Sequence, residues 1–283
     1  MAEKWIDVSY HNGKIDWEKV AASGIRGAII RAGYGGELTQ KDKRFDENMV
    51  GAVAAGLKVA VYWFGYPDSA DDAKREWEIC KQVIERYRNE VLFIAYDYEY
   101  DSRGYFKELH GYYPSNMLIN TMVTAFLNAA KSDGWKTCLY MNNDYRLHIF
   151  NASTLETPDY LWLADYSGGP DIPCAIQQTG SDGRVPGISG NVDMDTVFTD
   201  IGAPEFTCDT SGTVEIARGA AYQAKIVSNS APTITAGTGD VVTILSRFNN
   251  GNERFYYFVP IGSSGAESGI YINGNKQFIV KIK

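Results

Sequence analysis

Residues 91–100 read VLFIAYDYEY: five apolar residues lead into two acids, Asp97 and Glu99, set two positions apart. A strand this uniformly apolar is covered on both faces, as parallel strands are when helices pack on a sheet. A carboxylate inside such a strand is costly to bury and becomes tolerable only where the C-terminal strand ends open to solvent. Barrel enzymes keep their active sites at that mouth. A period of two and a rise of about 3.3 Å per residue put both carboxyls on one side, roughly 6–7 Å apart at Cβ. That separation suits two acids flanking a single bond.

The surrounding sequence supports a barrel. Up to about residue 200, short β-rich runs alternate with helical patterns, the signature of parallel strands joined by crossover helices. The strands fall at 4–10, 27–35, 57–66, 91–100, 136–142, 160–167 and 174–180, with a last one at GNVDMDTVF, 190–198. The helices fall near 16–23, 44–55, 69–88, 115–132 and 143–150. Seven or eight such units predict an α/β fold: a TIM-like, compact or irregular (β/α) barrel spanning 1–202. After a linker at 203–212, the pattern becomes period two, cut by Gly and Asn turns, and NNGN at 249–252 is a strong hairpin signal. Residues 213–283 are therefore expected to form a small all-β domain.

Residues 1–207 hold 20 Lys and Arg against 30 Asp and Glu, a net charge of −10, whereas residues 208–283 hold 7 against 5, a net charge of +2. An acidic main domain argues against nucleic acid as a partner. The four cysteines lie far apart without a CxxC pair, which fits reduced thiols rather than a zinc site or a disulfide framework. The start MAEKWIDVSYHNG lacks a basic segment followed by an apolar one, and no stretch reaches membrane-spanning length. These features predict a soluble product made in the cytoplasm, with no membrane partner.

Two more acids belong with the first pair. Asp7 stands near the end of the first strand and Asp193 in the last, and closing the barrel makes those strands neighbours. Four acids on one rim repel one another, which raises the pKa of at least one and leaves a proton donor near neutral pH. Asp165, in ADYS, reads as a simple strand end. Aromatic residues cluster at the strand ends: Tyr10, Tyr34, Tyr62, Trp63, Tyr66, Tyr96, Tyr98, Tyr100, Trp162 and Tyr166. Rings at several strand ends suit a groove for sugars.

The ordered motifs IDVSYHNGKIDW (6–17), IIRAGYG (29–35), FDENMVGAVAAGLKVAVYWF (45–64), YDYE (96–99), LWLADY (161–166) and IQQTGSDGRVPGISGNVDMD (176–195) resemble glycoside hydrolase family 25, the Chalaropsis-type muramidases. The resemblance implies hydrolysis of the β-1,4 bond between N-acetylmuramic acid and N-acetylglucosamine in peptidoglycan, without a cofactor. It implies Glu99 as general acid and Asp97 as the group that stabilises charge or orients the substrate acetamido group. Asp7 and Asp193 match the family's other active-site acids, and Arg31, Tyr62, Trp162, Tyr166 and Gln178 match groove positions, which Trp63 and Tyr66 extend. Two residues depart from the pattern. Trp63 stands where the family often has His, and Asp195 stands where Asn is common.

With its terminal β module, the chain resembles a bacteriophage endolysin that waits in the host cytoplasm and reaches the wall at lysis. That module is expected to bind a wall polymer through Tyr222, Phe255, Tyr256, Tyr257 and Tyr271. The alternative for FYYFVP, 255–260, is a subunit interface. Two competing functions use the same residues: a metal-dependent hydrolase with Asp7, Asp97, Glu99 and Asp193 around Mg²⁺ or Ca²⁺, and a glycan-binding protein without catalysis. With only His11, His110 and His148 and no HxH or HExxH, zinc is disfavoured.

Overall fold

The computed structural model describes residues 2–202, 206–228 and 231–283, and the chain divides into two compact units, Met1–Gly202 and Ala203–Lys283. In the first, eight strands close a barrel in chain order: β1 (Glu3–Val8), β2 (Gly27–Tyr34), β3 (Lys58–Phe64), β4 (Val91–Asp97), β5 (Thr137–Asn142), β6 (Tyr160–Ala164), β7 (Ile176–Gly183) and β8 (Val192–Val197). Strands β1 to β7 run parallel to their neighbours, but β8 is antiparallel to both β7 and β1. The expected run of parallel strands thus fails at closure. Only residues 184–191 separate β7 from β8, too few for the crossover a parallel pair requires, so the chain turns back on itself.

Helix α1 (Trp17–Ala22) follows β1, α2 (Phe45–Ala54) follows β2 and α3 (Ala70–Ile84) follows β3. Two helices, α4 (Tyr100–His110) and α5 (Asn116–Ser132), follow β4, and two more, α6 (Asn143–His148) and α7 (Ala152–Glu156), follow β5. Among the described residues no helix follows β6, β7 or β8, so the outer ring is incomplete. Helix α4 occupies sequence that reads as the end of a strand. Strand β4 stops at Asp97, and Glu99 becomes the N-cap of α4, its backbone N–H donating to Ser102 Oγ at 3.1 Å.

Strand alternation sorts the apolar residues into two layers. Trp5, Ile29, Ala60, Phe93, Ala95, Cys138, Trp162, Ile176 and Val197 pack together inside the barrel. The opposite parity, including Ile6, Ile30, Val61, Ile94 and Leu139, packs against Val20, Met49, Trp77 and Phe126 of the helices. All four cysteines are free, with Cys80 and Cys138 buried and Cys174 and Cys208 half-buried.

The second unit has two four-stranded sheets around one core containing Ile216, Ala224, Phe258, Ile270, Phe278 and Val280. Its strands are β9 (Phe206–Cys208), β10 (Gly212–Ile216), β11 (Tyr222–Ser228), β12 (Ile234–Ala236), β13 (Val242–Asn250), β14 (Glu253–Pro260), β15 (Glu267–Ile272) and β16 (Asn275–Ile282). The orders are β10-β16-β15-β12 and β13-β14-β11-β9. Of the segment read as a linker, 203–205 lies outside the described residues. The rest is not a plain tether: Phe206–Cys208 supplies main-chain hydrogen bonds to β11, and Gly212 opens β10. The β13–β14 hairpin turns at the NNGN segment, with Gly251 at φ 59°.

Gly27, on the inner face of β2, leaves room for the Trp5 indole; an added Cβ would lie 2.3 Å from Trp5 Cε2. Gly27→Ala should cost about 1–3 kcal/mol through overpacking. Thermal unfolding followed by near-ultraviolet circular dichroism checks this, and an unchanged midpoint would show that the glycine does not confine the ring.

Candidate active site

Above the apolar layer inside the barrel, the inward positions turn polar. They carry Asp7 on β1, Arg31 on β2, Tyr62 on β3, Asp97 on β4, Tyr140 on β5, Trp162 on β6 and Gln178 on β7. Antiparallel β8 enters from the other end and places Asp193 beside Asp7, with Asp195 beside Gln178 and Trp5. Tyr140 lies between Asp97 and Trp162 in register.

A hydrogen-bond chain orders one side of this layer. Gln178 Nε2 donates to Asp7 Oδ2 at 2.8 Å, while Gln178 Oε1 accepts from Tyr166 at 2.8 Å and Tyr140 at 3.1 Å. Two donors on the oxygen and an acceptor for the nitrogen leave the amide one orientation. Trp162 Nε1 donates to Asp195 Oδ1 at 2.8 Å. On the other side, Arg31 Nε pairs with buried Asp42 at 2.9 Å, and its guanidinium lies 5.0 Å from the centre of the Tyr10 ring. Three carboxylate oxygens, Asp97 Oδ1, Asp195 Oδ2 and Asp165 Oδ2, are buried without a hydrogen-bond partner.

Every acid of the cluster is shifted towards its protonated form. Burial pushes Asp97 well above the usual carboxylate range; the Glu99 charge adds to this and Arg31 opposes it. Glu99, half-buried, is raised by burial and then by Asp101 and Asp193. Asp7 is held well above its ordinary value by burial, then by Asp195 and Asp193. Burial also raises Asp193, and it pushes Asp195 up to about 8. Glu76 lies below the rim, likewise pushed to about 8 by burial. It accepts from the Tyr66 backbone N–H at 2.8 Å and bonds the Tyr96 hydroxyl at 2.6 Å, fixing the turn that carries Tyr66.

Asp193 lies opposite Asp7 in register, and the charges of Asp97 on Asp7 and of Asp193 on Glu99 act across the same mouth. Glu99 stands two residues beyond Asp97, past the end of β4, with extended backbone at φ −140° and ψ −157°. Tyr66 stands between Tyr34 and Tyr105, at ring separations of 6.2 and 5.2 Å, and with them lines a cavity of about 610 Å³ that also meets Asp68, Asp101 and Glu108. Tyr166 is exposed at the rim, while Tyr62 and Trp162 meet edge to face below it. Trp63 does not join this groove. Its parity points it away from the barrel interior, and it is fully buried, with Nε1 donating to Gly35 O at 3.0 Å. Tyr96 and Tyr98 are buried on the same outer layer.

Sequence reasoning missed Tyr140 and placed Asp195 outside the central cluster. Asp195 shares strand parity with Asp193, which was already singled out, and that parity is the signal that finds it; Tyr140 follows the parity of Cys138, whose inner position the fold shows. Among the described residues no group of three or more His, Cys, Asp or Glu is arranged to hold a metal ion. No described helix is long and apolar enough to cross a membrane.

In the second unit, register separates the five expected wall contacts. Tyr222 and Tyr256 pack on the inner core, because they share a face with Phe258 and Ala224; that removes them from the outer surface. Phe255 and Tyr257 alternate to the outside, where Phe248 stacks on Phe255 at 4.3 Å and Leu245 sits opposite Tyr257. Tyr271, between buried Ile270 and Ile272, points outward from the other sheet.

Comparison with known proteins matches residues 6–186 to the model for glycosyl hydrolases family 25. Lysozyme M1 of Streptomyces globisporus is 24% identical over 208 residues, which cover 66% of this chain and 65% of that protein. The modular autolysin LytC of Streptococcus pneumoniae superposes with a TM-score of 0.60 at 23% identity, over 70% of this chain and 47% of LytC. LytC has also been solved with a synthetic peptidoglycan ligand. The catalytic domain of endolysin ply40, from bacteriophage P40 of Listeria monocytogenes, superposes with a TM-score of 0.58 at 21% identity, over 71% of this chain and 95% of that domain. The chain thus spans just under two thirds of the curated lysozyme and about half of LytC. The family match takes in most of the barrel, including Asp7, Asp97 and Glu99, and on it the chain belongs to glycosyl hydrolases family 25.

Proposed function

We propose that the chain is a lysozyme that hydrolyses the β-1,4 bond between N-acetylmuramic acid and N-acetylglucosamine in bacterial peptidoglycan. The observation that carries this reading is the pair of neighbouring carboxyls in unlike surroundings: Glu99 half-buried at a helix cap, and Asp97 buried with one oxygen unpartnered. Glycoside cleavage needs a proton for the leaving oxygen and negative charge near an oxocarbenium-like transition state. Glu99, reachable from solvent and raised in pKa, donates the proton. With Glu99 neutral, its repulsion on Asp97 disappears, and Arg31 favours the Asp97 carboxylate. The free Asp97 Oδ1 then accepts from the substrate acetamido N–H and turns the acetamido oxygen towards the anomeric carbon, giving net retention. Tyr66 and Tyr166 supply ring faces and hydroxyls for the sugars.

The second unit serves as the wall-binding module, through the outward residues Phe248, Phe255 and Tyr257 on one sheet and Tyr271 on the other. The setting is that of an endolysin, held in the host cytoplasm and acting on the wall after release. The likeness of the barrel to the ply40 catalytic domain supports this setting.

Glu99→Gln should lower kcat by about 10²- to 10⁴-fold while leaving peptidoglycan binding intact. The wild-type digest should carry new muramic acid reducing ends, identified by mass spectrometry; glucosamine ends or freed peptides would sink the assignment. Because the active form of Glu99 is protonated and its pKa is raised from 4.5, the rate should hold above that pH and fall as pH climbs through the raised value. Replacing both Phe255 and Tyr257 with Ser should cut sedimentation with intact sacculi at least about tenfold, the scale of one or two lost aromatic contacts. Undiminished sedimentation would return that face to the subunit-interface reading.

A further inference from the structure

Strand β8 brings a fifth acid into the barrel. Asp195 is 1% exposed, takes one hydrogen bond from Trp162 and leaves its second oxygen buried and unpartnered. Its strand neighbours are Trp5 and Gln178, the latter being the donor to Asp7. The titratable groups facing it are Asp193 on its own strand, Asp7 on β1, Cys138 on β5 and Tyr166 beyond β6. The largest influences on Asp195 and Asp7 after burial include the charges of other acids and no cation. Two buried carboxylates with one neutral donor each do not both stay ionised.

We propose that Asp195 is a positioning residue of the acid cluster: one proton is shared between its carboxyl and that of Asp7, so that the two carry a single negative charge beside Asp193 instead of two. Register supports the pairing: Asp193 stands opposite Asp7, and Asp195 comes one inward step lower with an oxygen that has no other partner. Burial keeps Asp195 from the substrate, and it acts through Asp7. The effect on turnover rests on the lysozyme reading, but the proton itself does not.

The test is Asp195→Asn, which preserves shape and the acceptor for Trp162 but cannot hold the bridging proton. The pKa of Asp195 is raised in the folded chain from 3.8 to about 8, so the stability it contributes is complete below 3.8 and lost as pH rises through 8. Each proton the folded state retains makes the unfolding constant rise tenfold per pH unit in that window. Urea unfolding of wild type and variant between pH 4 and 8 should show a weaker pH dependence in the variant, by up to that tenfold factor per unit. Superimposable pH dependences overturn the proposal. Trp162→Phe gives a second check: losing the donor that favours ionised Asp195 should move proton release to higher pH, and an unmoved release also overturns it. In turnover, Asp195→Asn should displace the alkaline side of the kcat/KM profile to lower pH; a uniform loss at every pH would reduce Asp195 to packing. If the wild type cleaves no peptidoglycan, the lysozyme reading fails while the unfolding comparison still decides this one.

Discussion

A closed barrel has no edge, so each side chain on its inner face must find its partners within the ring or at the open end. Here the lower inner positions are filled by Trp5, Ile29, Ala60, Phe93 and Ile176. The upper ones are left to carboxyls, tyrosines and an amide. Everything chemical about the protein follows from this vertical change, because the apolar layer seals the floor and denies the acids above it most of their hydration. Burial is accordingly the first cause of the raised pKa of Asp7, Asp97, Glu99, Asp193 and Asp195 alike.

Closure by an antiparallel strand has a consequence of its own. A parallel β8 would bring one C-terminal end to the rim. An antiparallel β8 instead arrives with its N-terminal residues there, so Asp193 pairs with Asp7 at the top and Asp195 comes one inward step lower. The short 184–191 connection therefore decides which acids meet, and it adds no helix between β7 and β8.

This explains how far the sequence could be read. The neighbourhood of Asp7 and Asp193 depends only on closure, and it survives the change of strand direction because the register still sets them opposite each other. The direction itself depends on connection length, and DGRVPGISGN contains turn residues without a helical pattern, a signal that competed with the expectation of regular βα units. By residue type Trp63 reads as a groove ring, whereas strand parity turns it away from the barrel interior. An aromatic ring at a strand end suits a groove or a core equally, and only the alternation with Tyr62 separates the two. The same alternation sends Phe255 and Tyr257 outward and Tyr256 inward within FYYF. Helix α4 was hidden because Glu99 and Tyr100 continue the β-like pattern of VLFIAYDY, and the helix is declared only by Ser102 and the residues beyond it.

The position of Glu99 as a helix cap poses a conflict that magnitudes resolve. A helix N-terminus carries partial positive charge and favours an anion there by about 0.3–1 kcal/mol, which is less than one pKa unit. That effect alone would make Glu99 a stronger acid and a poorer proton donor at neutral pH. Against it stand partial burial and the charges of Asp101 and Asp193, each of which disfavours the anion, and the net shift is upward. A carboxyl placed on a regular strand end would have escaped the dipole but would also have pointed straight into the barrel, as buried as Asp97. On the cap it stays half-exposed, near enough to the other acids for its anion to be disfavoured and open enough to exchange a proton with solvent.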